Sequence, residues 1–269
     1  MARFEAYGHT ATGPVREHNE DHLLLDRYVK NRGRMTLWLD ADDEALQSVG
    51  VLLAVADGIG GASAGEVASQ LALRTLERHF HGVTKAAPEA FVETLRDAIQ
   101  RANDTVLQAA ASRPEWARMG CTLSGACLTP HGYWVFNAGD SRVYRLRNGL
   151  LRLLTLDDSA TRMAMDAGQL SQDQAEQSGQ RHVLTNHVGL ASFQCRIEPG
   201  PELRGGDVLL VCSDGVHDLL GESRMEALCA ADDAPLERMG QALLDAATAA
   251  GGHDNQSVIL LRLHEDSAG

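Results

Sequence analysis

The chain has 269 residues, 44% of them hydrophobic, which allows one large globular domain or two small ones and excludes an intrinsically disordered chain. Asp and Glu outnumber Lys and Arg by 37 to 24, for a net charge of -13; that balance argues against nonspecific binding to nucleic acid or anionic lipid and suits solubility or cation binding. The five cysteines stand singly without a C-x-x-C pair and read as reduced core residues. The N-terminus lacks the apolar segment of a signal peptide, and the longest apolar runs, Val51 to Ala56 and Val258 to Leu261, fall far short of the roughly 20 residues a membrane helix needs, so a cytoplasmic, membrane-free chain is expected.

Strand-like segments run from near one end to the other: Leu23 to Leu25, Met35 to Leu39, Val51 to Ala56, Cys121 to Leu128, Tyr133 to Asn137, Arg142 to Arg147, Leu150 to Leu154, Asp207 to Cys212 and Gln256 to Leu263. The acidic run Asp40 to Glu44 lacks the glycine and terminal Glu of a calcium loop and reads as a solvated hairpin tip. A first helix opens with the capping-box pattern Ser63-Ala64-Gly65-Glu66, a second starts at Pro88, and a third runs from Pro235 to Gly251-Gly252, each with apolar residues on helical spacing. Between the strands around 147 and 150, Asn148-Gly149 predicts a type I′ hairpin turn, because both positions must accept positive φ. A segment from Ser159 to about residue 190, rich in Gln, Asp and Glu, reads as a mobile, partly helical flap. No linker or repeat divides the rest, so residues 4–264 are expected to form one α+β domain of antiparallel sheets flanked by helices.

Several short strings carry chemistry. Asp57 follows a buried strand and precedes Gly58-Ile59-Gly60-Gly61, a place where backbone can approach a ligand closely; a plain strand-to-helix turn is the competing reading. The dinucleotide fingerprint would want glycine where Ser63 stands. Ser213-Asp214-Gly215 with Asp218 repeats the pattern at the end of another buried strand, with another polar turn as the competing reading, and Val211 denies Ser213 the nucleophile-elbow motif. Asp254-Asn255 precedes the last strand, and Gly139-Asp140-Ser141-Arg142 lies between two strands. Arg16, with Asn19-Glu20-Asp21 just after it, reads locally as a surface ion pair. His217 and His253 read as solvated or hydrogen-bonded side chains.

Taken with Gly120-Cys121-Thr122 and Leu154-Thr155, these strings resemble, in order and spacing, the type 2C or PPM metal-dependent protein phosphatases, over nearly the whole sequence. The resemblance implies a four-layer α-β-β-α fold, a central sandwich of two antiparallel sheets with paired helices outside. It implies two Mn²⁺ or Mg²⁺ ions, with Asp57 bridging, Asp214 and Asp254 on one ion, and the Gly58 carbonyl and Glu20 through water on the other, supported by Asp21. Asp140 and Asp218 resemble ligands of a third, weaker ion, and Arg16 resembles the phosphate-binding arginine. An all-oxygen donor set suits those hard ions better than zinc. The implied activity is hydrolysis of phosphoserine and phosphothreonine in proteins by a water acidified between two cations, opposing a Ser/Thr kinase, from a monomer. The alternatives are a phosphoprotein-binding pseudophosphatase and a small-molecule phosphoesterase. The chain departs from the family at Ile59, where many relatives carry a proton-donating histidine, and at Asp158, where relatives commonly carry histidine. The latter is expected to add charge at the mouth of the flap.

Overall fold

The computed structural model describes residues 3–60, 64–82, 90–171, 174, 178, 183–230 and 234–264. Its elements in chain order are β1 (Arg3–Ala11), β2 (His22–Leu25), β3 (Tyr28–Lys30), β4 (Gly33–Asp40), α1 (Glu44–Ser48), β5 (Val51–Ala56), β6 (Gly58–Ile59), α2 (Ala64–His81) and α3 (Phe91–Ser112). There follow β7 (Gly120–Cys121), β8 (Leu123–Thr129), β9 (Gly132–Ala138), β10 (Arg142–Arg147), β11 (Leu150–Leu153), α4 (Ala160–Asp166), β12 (Arg196–Pro199), β13 (Val208–Cys212), α5 (Asp214–Cys229), α6 (Leu236–Ala249) and β14 (Gln256–His264).

Two six-stranded antiparallel sheets stack, one in the order β11-β10-β13-β14-β1-β4 and the other β12-β9-β8-β5-β2-β3. The central strands are buried on both faces, and their side chains divide between two layers with the period of two that a strand imposes. In β5, Leu52, Ala54 and Ala56 pack with the α2 and α3 residues Leu73, Leu76, Leu95 and Ile99, whereas Val51, Leu53 and Val55 meet Leu209, Val211 and Ile259 of the opposite sheet. On that sheet Val208, Leu210, Val258 and Leu260 face α5 and α6. The result is the expected α-β-β-α sandwich, with three contiguous apolar layers in which each fully buried Leu or Val contributes roughly 1.5–3 kcal/mol.

The Asn148-Gly149 turn joins β10 to β11 with φ values of 52° and 74°, as predicted. Three readings need correction. The run from Asp40 is no hairpin tip: β4 and β5 lie in different sheets, and Asp43 caps α1 between them, its carboxylate accepting from the Ala45 N–H. The turn read after Asp214 is the start of α5, which kinks at Gly221 (φ 67°). The strand read as 121–128 is interrupted at Thr122, leaving Cys121 to pair with Gly58 in a separate two-stranded ladder. The capping serine Ser63 and the start at Pro88 lie outside the described residues, as does part of the flap; its described portion is partly helical through α4.

Candidate active site

At one end of the sandwich the strand termini converge on a cavity of about 110 Å³. Its lining combines Asp57 and Gly58 after β5, Glu20 before β2, Asp140 between β9 and β10, Asp214 after β13 and Asp254 before β14, with Arg16, Thr122 and Asn255 beside them. Ile59 and, from the flap, Leu184 supply apolar walls. Both sheets therefore contribute, and residues nearly the full chain length apart meet. A neighbouring groove of about 470 Å³ continues outward past Asp218, Leu219 and His253.

Tight backbone packing holds these strand ends in place. A Cβ on Gly58 would stand 2.3 Å from the Gly65 carbonyl at the start of α2, and one on Gly215 would stand 2.0 Å from the Asn255 carbonyl oxygen. Only glycine lets the chain segments close this far.

Polar side chains then fix each carboxylate's backbone. The Asp57 N–H donates to Thr122 Oγ1 (2.9 Å) while the Thr122 N–H donates to the Asp57 carbonyl (2.8 Å). Thr122 Oγ1 also lies 2.7 Å from Ser141 Oγ, next to Asp140. Asn255 accepts the Glu20 N–H (2.8 Å) and donates to the carbonyls of Thr12 and His18, both at 2.9 Å, which shapes the Arg16–Glu20 loop. His217 is buried with Nε2 3.0 Å from the Asp140 carbonyl oxygen and Nδ1 3.2 Å from an Asp218 oxygen, the hydrogen-bonded reading expected of it; the His253 side chain is exposed.

Asp21 sits fully buried behind the cavity wall, accepting from Ser213 Oγ (2.8 Å), with Oδ1 buried and without a hydrogen bond among the described residues. Burial, with Asp214 and Asp254 nearby, pushes its carboxyl up to about 7, against the hydrogen bonds of Ser257 and Ser213. Burial likewise drives Asp57 well above the carboxylate range, reinforced by Asp21, Asp214, Asp254 and Asp140. Asp140 is raised in the same way, by burial and then by Asp214, Asp157 and Asp218. A set of acids that hold one another's protons on is short of positive charge, and hard divalent cations are the groups that all-oxygen sets of this kind accommodate. The residues therefore fit such ions. They ring the cavity without converging: among the described residues no three His, Cys, Asp or Glu side chains stand in ready-made coordination geometry. Arg16 lies against one of them: its Nη2 reaches Asp254 Oδ2 at 2.6 Å and its Nε donates to the His253 carbonyl at 3.2 Å. The local reading of Arg16 as an ion-paired side chain and its position beside the carboxylates are thus both observed.

Asp158 refines an expectation. It does stand at the mouth of the flap, but the charge it adds there is buried and matched, its Oδ1 lying 2.7 Å from Arg196 Nη2.

A protein-family model described as Protein phosphatase 2C matches residues 40–256. The chain belongs to the protein phosphatase 2C family. It is 30% identical over 256 residues to a family relative from Listeria monocytogenes, the serine/threonine phosphatase Stp, covering 94% of this chain and 93% of the relative. The PPM Ser-Thr phosphatase MsPP from Mycobacterium smegmatis, solved in complex with cacodylate, superposes with a TM-score of 0.76 at 30% identity, covering 96% of this chain and 97% of that one. The catalytic domain of PstP, solved in complex with two manganese ions, superposes with a TM-score of 0.75 at 24% identity over 98% and 100% of the two chains, a likeness of fold. Within the protein phosphatase 2C motifs, Thr122, Ser213 and Asn255 proved to be hydrogen-bonding struts; the motif spacing flagged them, but their partners, distant in sequence, could be seen only in the fold.

Proposed function

We propose that this member of the protein phosphatase 2C family hydrolyses phosphoserine and phosphothreonine in proteins with divalent metal ions, manganese or magnesium. The observation that carries the reading is the ring of carboxylates around a cavity sized for a phosphoryl group, in which burial and neighbouring acids push Asp57 and Asp140 well above the usual range, with a guanidinium on its rim. Asp57 would bridge two ions, Asp214 and Asp254 would hold one, and the Gly58 carbonyl and Glu20, through water, the other, with Asp21 in support; Asp140 and Asp218 would add a weaker third ion. Bound there, the ions would lower the pKa of water toward about 7 and neutralise phosphate charge. Arg16 would exchange Asp254 for the phosphoryl oxygens, to which its planar fork is matched, and stabilise the charge growing on them. Ile59 offers no proton, so the leaving alkoxide must take one from elsewhere in the cavity.

The shared apolar layer between the sheets supports treating residues 4–264 as one catalytic domain. Among the described residues no helix is long and apolar enough to cross a membrane. The likeness to proteins named serine/threonine phosphatases supports an enzyme acting in signal transduction on the products of a Ser/Thr kinase, which we propose to be a cytoplasmic monomer.

The test is hydrolysis of a phosphothreonine peptide with Mn²⁺, with Mg²⁺ and with chelator, for the wild type and Asp57→Asn. Metal-dependent turnover lost in the variant is the expected outcome; metal binding without turnover of any phosphoester would leave a binding protein instead.

A further inference from the structure

Asp158 stands where the flap leaves the sandwich and is 6% exposed. Its Oδ2 accepts from the Gly139 N–H at 3.1 Å and from Asn186 Nδ2 at 2.7 Å, and its Oδ1 is paired with Arg196 Nη2 at 2.7 Å. Its main chain repeats the connection: the Asp158 N–H donates to the Gly139 carbonyl (2.9 Å) and the Thr185 N–H to the Asp158 carbonyl (2.8 Å). With the Ala160 N–H donating to Val183 (2.8 Å), the two ends of the flap form a short antiparallel ladder in which Leu184 lies opposite Ser159. That same Leu184 is the flap's contribution to the cavity wall.

A buried carboxylate is tolerated only where its charge is matched and its lone pairs are filled. Here the matching groups come from three separate pieces of chain. One is the turn preceding Asp140, one is the first residue of β12, and one is the flap's return. The Asn186 side chain also closes on Gln194, donating to its carbonyl at 2.7 Å and accepting its N–H at 3.2 Å. The turn at Gly139 is held at φ 104°, where an added Cβ would meet Thr122 Cγ2 at 2.8 Å, so it has little freedom to follow a displaced flap. Asp158 thus ties the two ends of the flap to the turn before Asp140 and to β12. The cavity, about 110 Å³, takes a phosphoryl group but no peptide, and the residues flanking a phosphothreonine must lie outside it.

We infer that Asp158 is a positioning residue for macromolecular substrates, holding the flap ladder against the cavity so that the chain flanking the phosphate is received there, while a small aryl phosphate is not affected by it. The inference rests on the phosphatase reading. The experiment compares kcat and KM for a phosphothreonine peptide and for p-nitrophenyl phosphate in the wild type, Asp158→Asn, Arg196→Met and the double variant, with Mn²⁺ affinity measured by calorimetry. Peptide KM is expected to rise about tenfold in Asp158→Asn, with kcat/KM for p-nitrophenyl phosphate within about twofold of wild type. Mn²⁺ affinity is expected to hold, and the double variant to be no worse than Asp158→Asn, because both changes cut one connection. Equal losses on the two substrates, weakened Mn²⁺ binding, or no change at all would each overturn the inference. Should Asp158→Asn fail to fold, Arg196→Met, at a side chain 47% exposed, carries the same comparison. A wild type that turns over neither phosphoester removes the phosphatase reading and the inference with it, whereas turnover of both without the split removes the inference alone.

Discussion

At the N-terminal end of β13, Asp207 is 2% exposed and lies in the fork of Arg147, which reaches its two oxygens with Nε at 2.8 Å and Nη2 at 2.6 Å, while the Arg204 N–H adds a third bond at 2.9 Å. Burial alone would raise its pKa; the bonds from Arg147 and Arg204 and the nearby guanidinium charges outweigh burial, and the carboxyl is held below its usual value. Seven residues later, past the other end of the strand, Asp214 faces Asp57, Asp140 and Asp21, and in those three burial and like charge both push upward. One strand thus carries carboxylates at both ends, in opposite electrostatic surroundings. The difference teaches how to separate a structural acid from one reserved for a ligand: the first has its counter-charge built into the chain, and the second is surrounded by more of its own kind.

Activity is the sharpest way to break the comparison. Asp57→Asn is expected to lower metal-dependent kcat/KM by more than about 100-fold, and Asp207→Asn to leave it within about twofold; steady-state kinetics on a phosphothreonine peptide would expose a reversed order. Stability should invert the ranking. Asp207→Asn strands a guanidinium and is expected to lower the melting temperature by several degrees, whereas in chelator Asp57→Asn removes repulsion and should raise it or leave it unchanged, as calorimetry can read.

The pH dependence sharpens the structural half. Because Asp207 has a folded pKa below its unfolded value of about 3.9, its contribution is complete above that pH and is lost as pH falls through the lower folded value. The gap in unfolding free energy between the wild type and Asp207→Asn should therefore be flat from pH 7 to about 5 and close below about 4; a gap that widened on acidification would contradict it. The smallest effect belongs to a turn remote from both ends. Gly149→Ala meets no atom within 4 Å and suffers only from its φ of 74°, so a loss of about 1 kcal/mol is expected in chemical denaturation, with no change in kinetics.

The sandwich was legible because its strands are short apolar runs bounded by turn residues, and the Asn148-Gly149 hairpin because two adjacent positive φ values restrict the choice of residues so strongly. The acids around the cavity were legible as a spaced set of motifs, each weak alone. What escaped was long-range. Helix α5 was hidden because Gly215 and Gly221 interrupt its apolar pattern, yet Gly215 is required by the approach of the Asn255 carbonyl, a neighbour that sequence cannot display. That the charge of Asp158 is matched could not be read, because its partner, Arg196, lies beyond the flap, on β12. Strand β1 mixes Arg, Glu and His with its apolar residues, and its place between β14 and β4 comes from backbone pairing with distant segments.

The position of β14 also has a consequence for synthesis on the ribosome. It lies between β13 and β1 in the middle of its sheet, and the residues just ahead of it, Asp254 and Asn255, reach back to Arg16 and to Glu20. A nascent chain can pack β5, β8 and their helices early, but Asp254 has no lasting place until β14 has cleared the exit tunnel and slid between β13 and β1, the latter made long before. The acid ring is therefore complete only once β14 has joined its sheet.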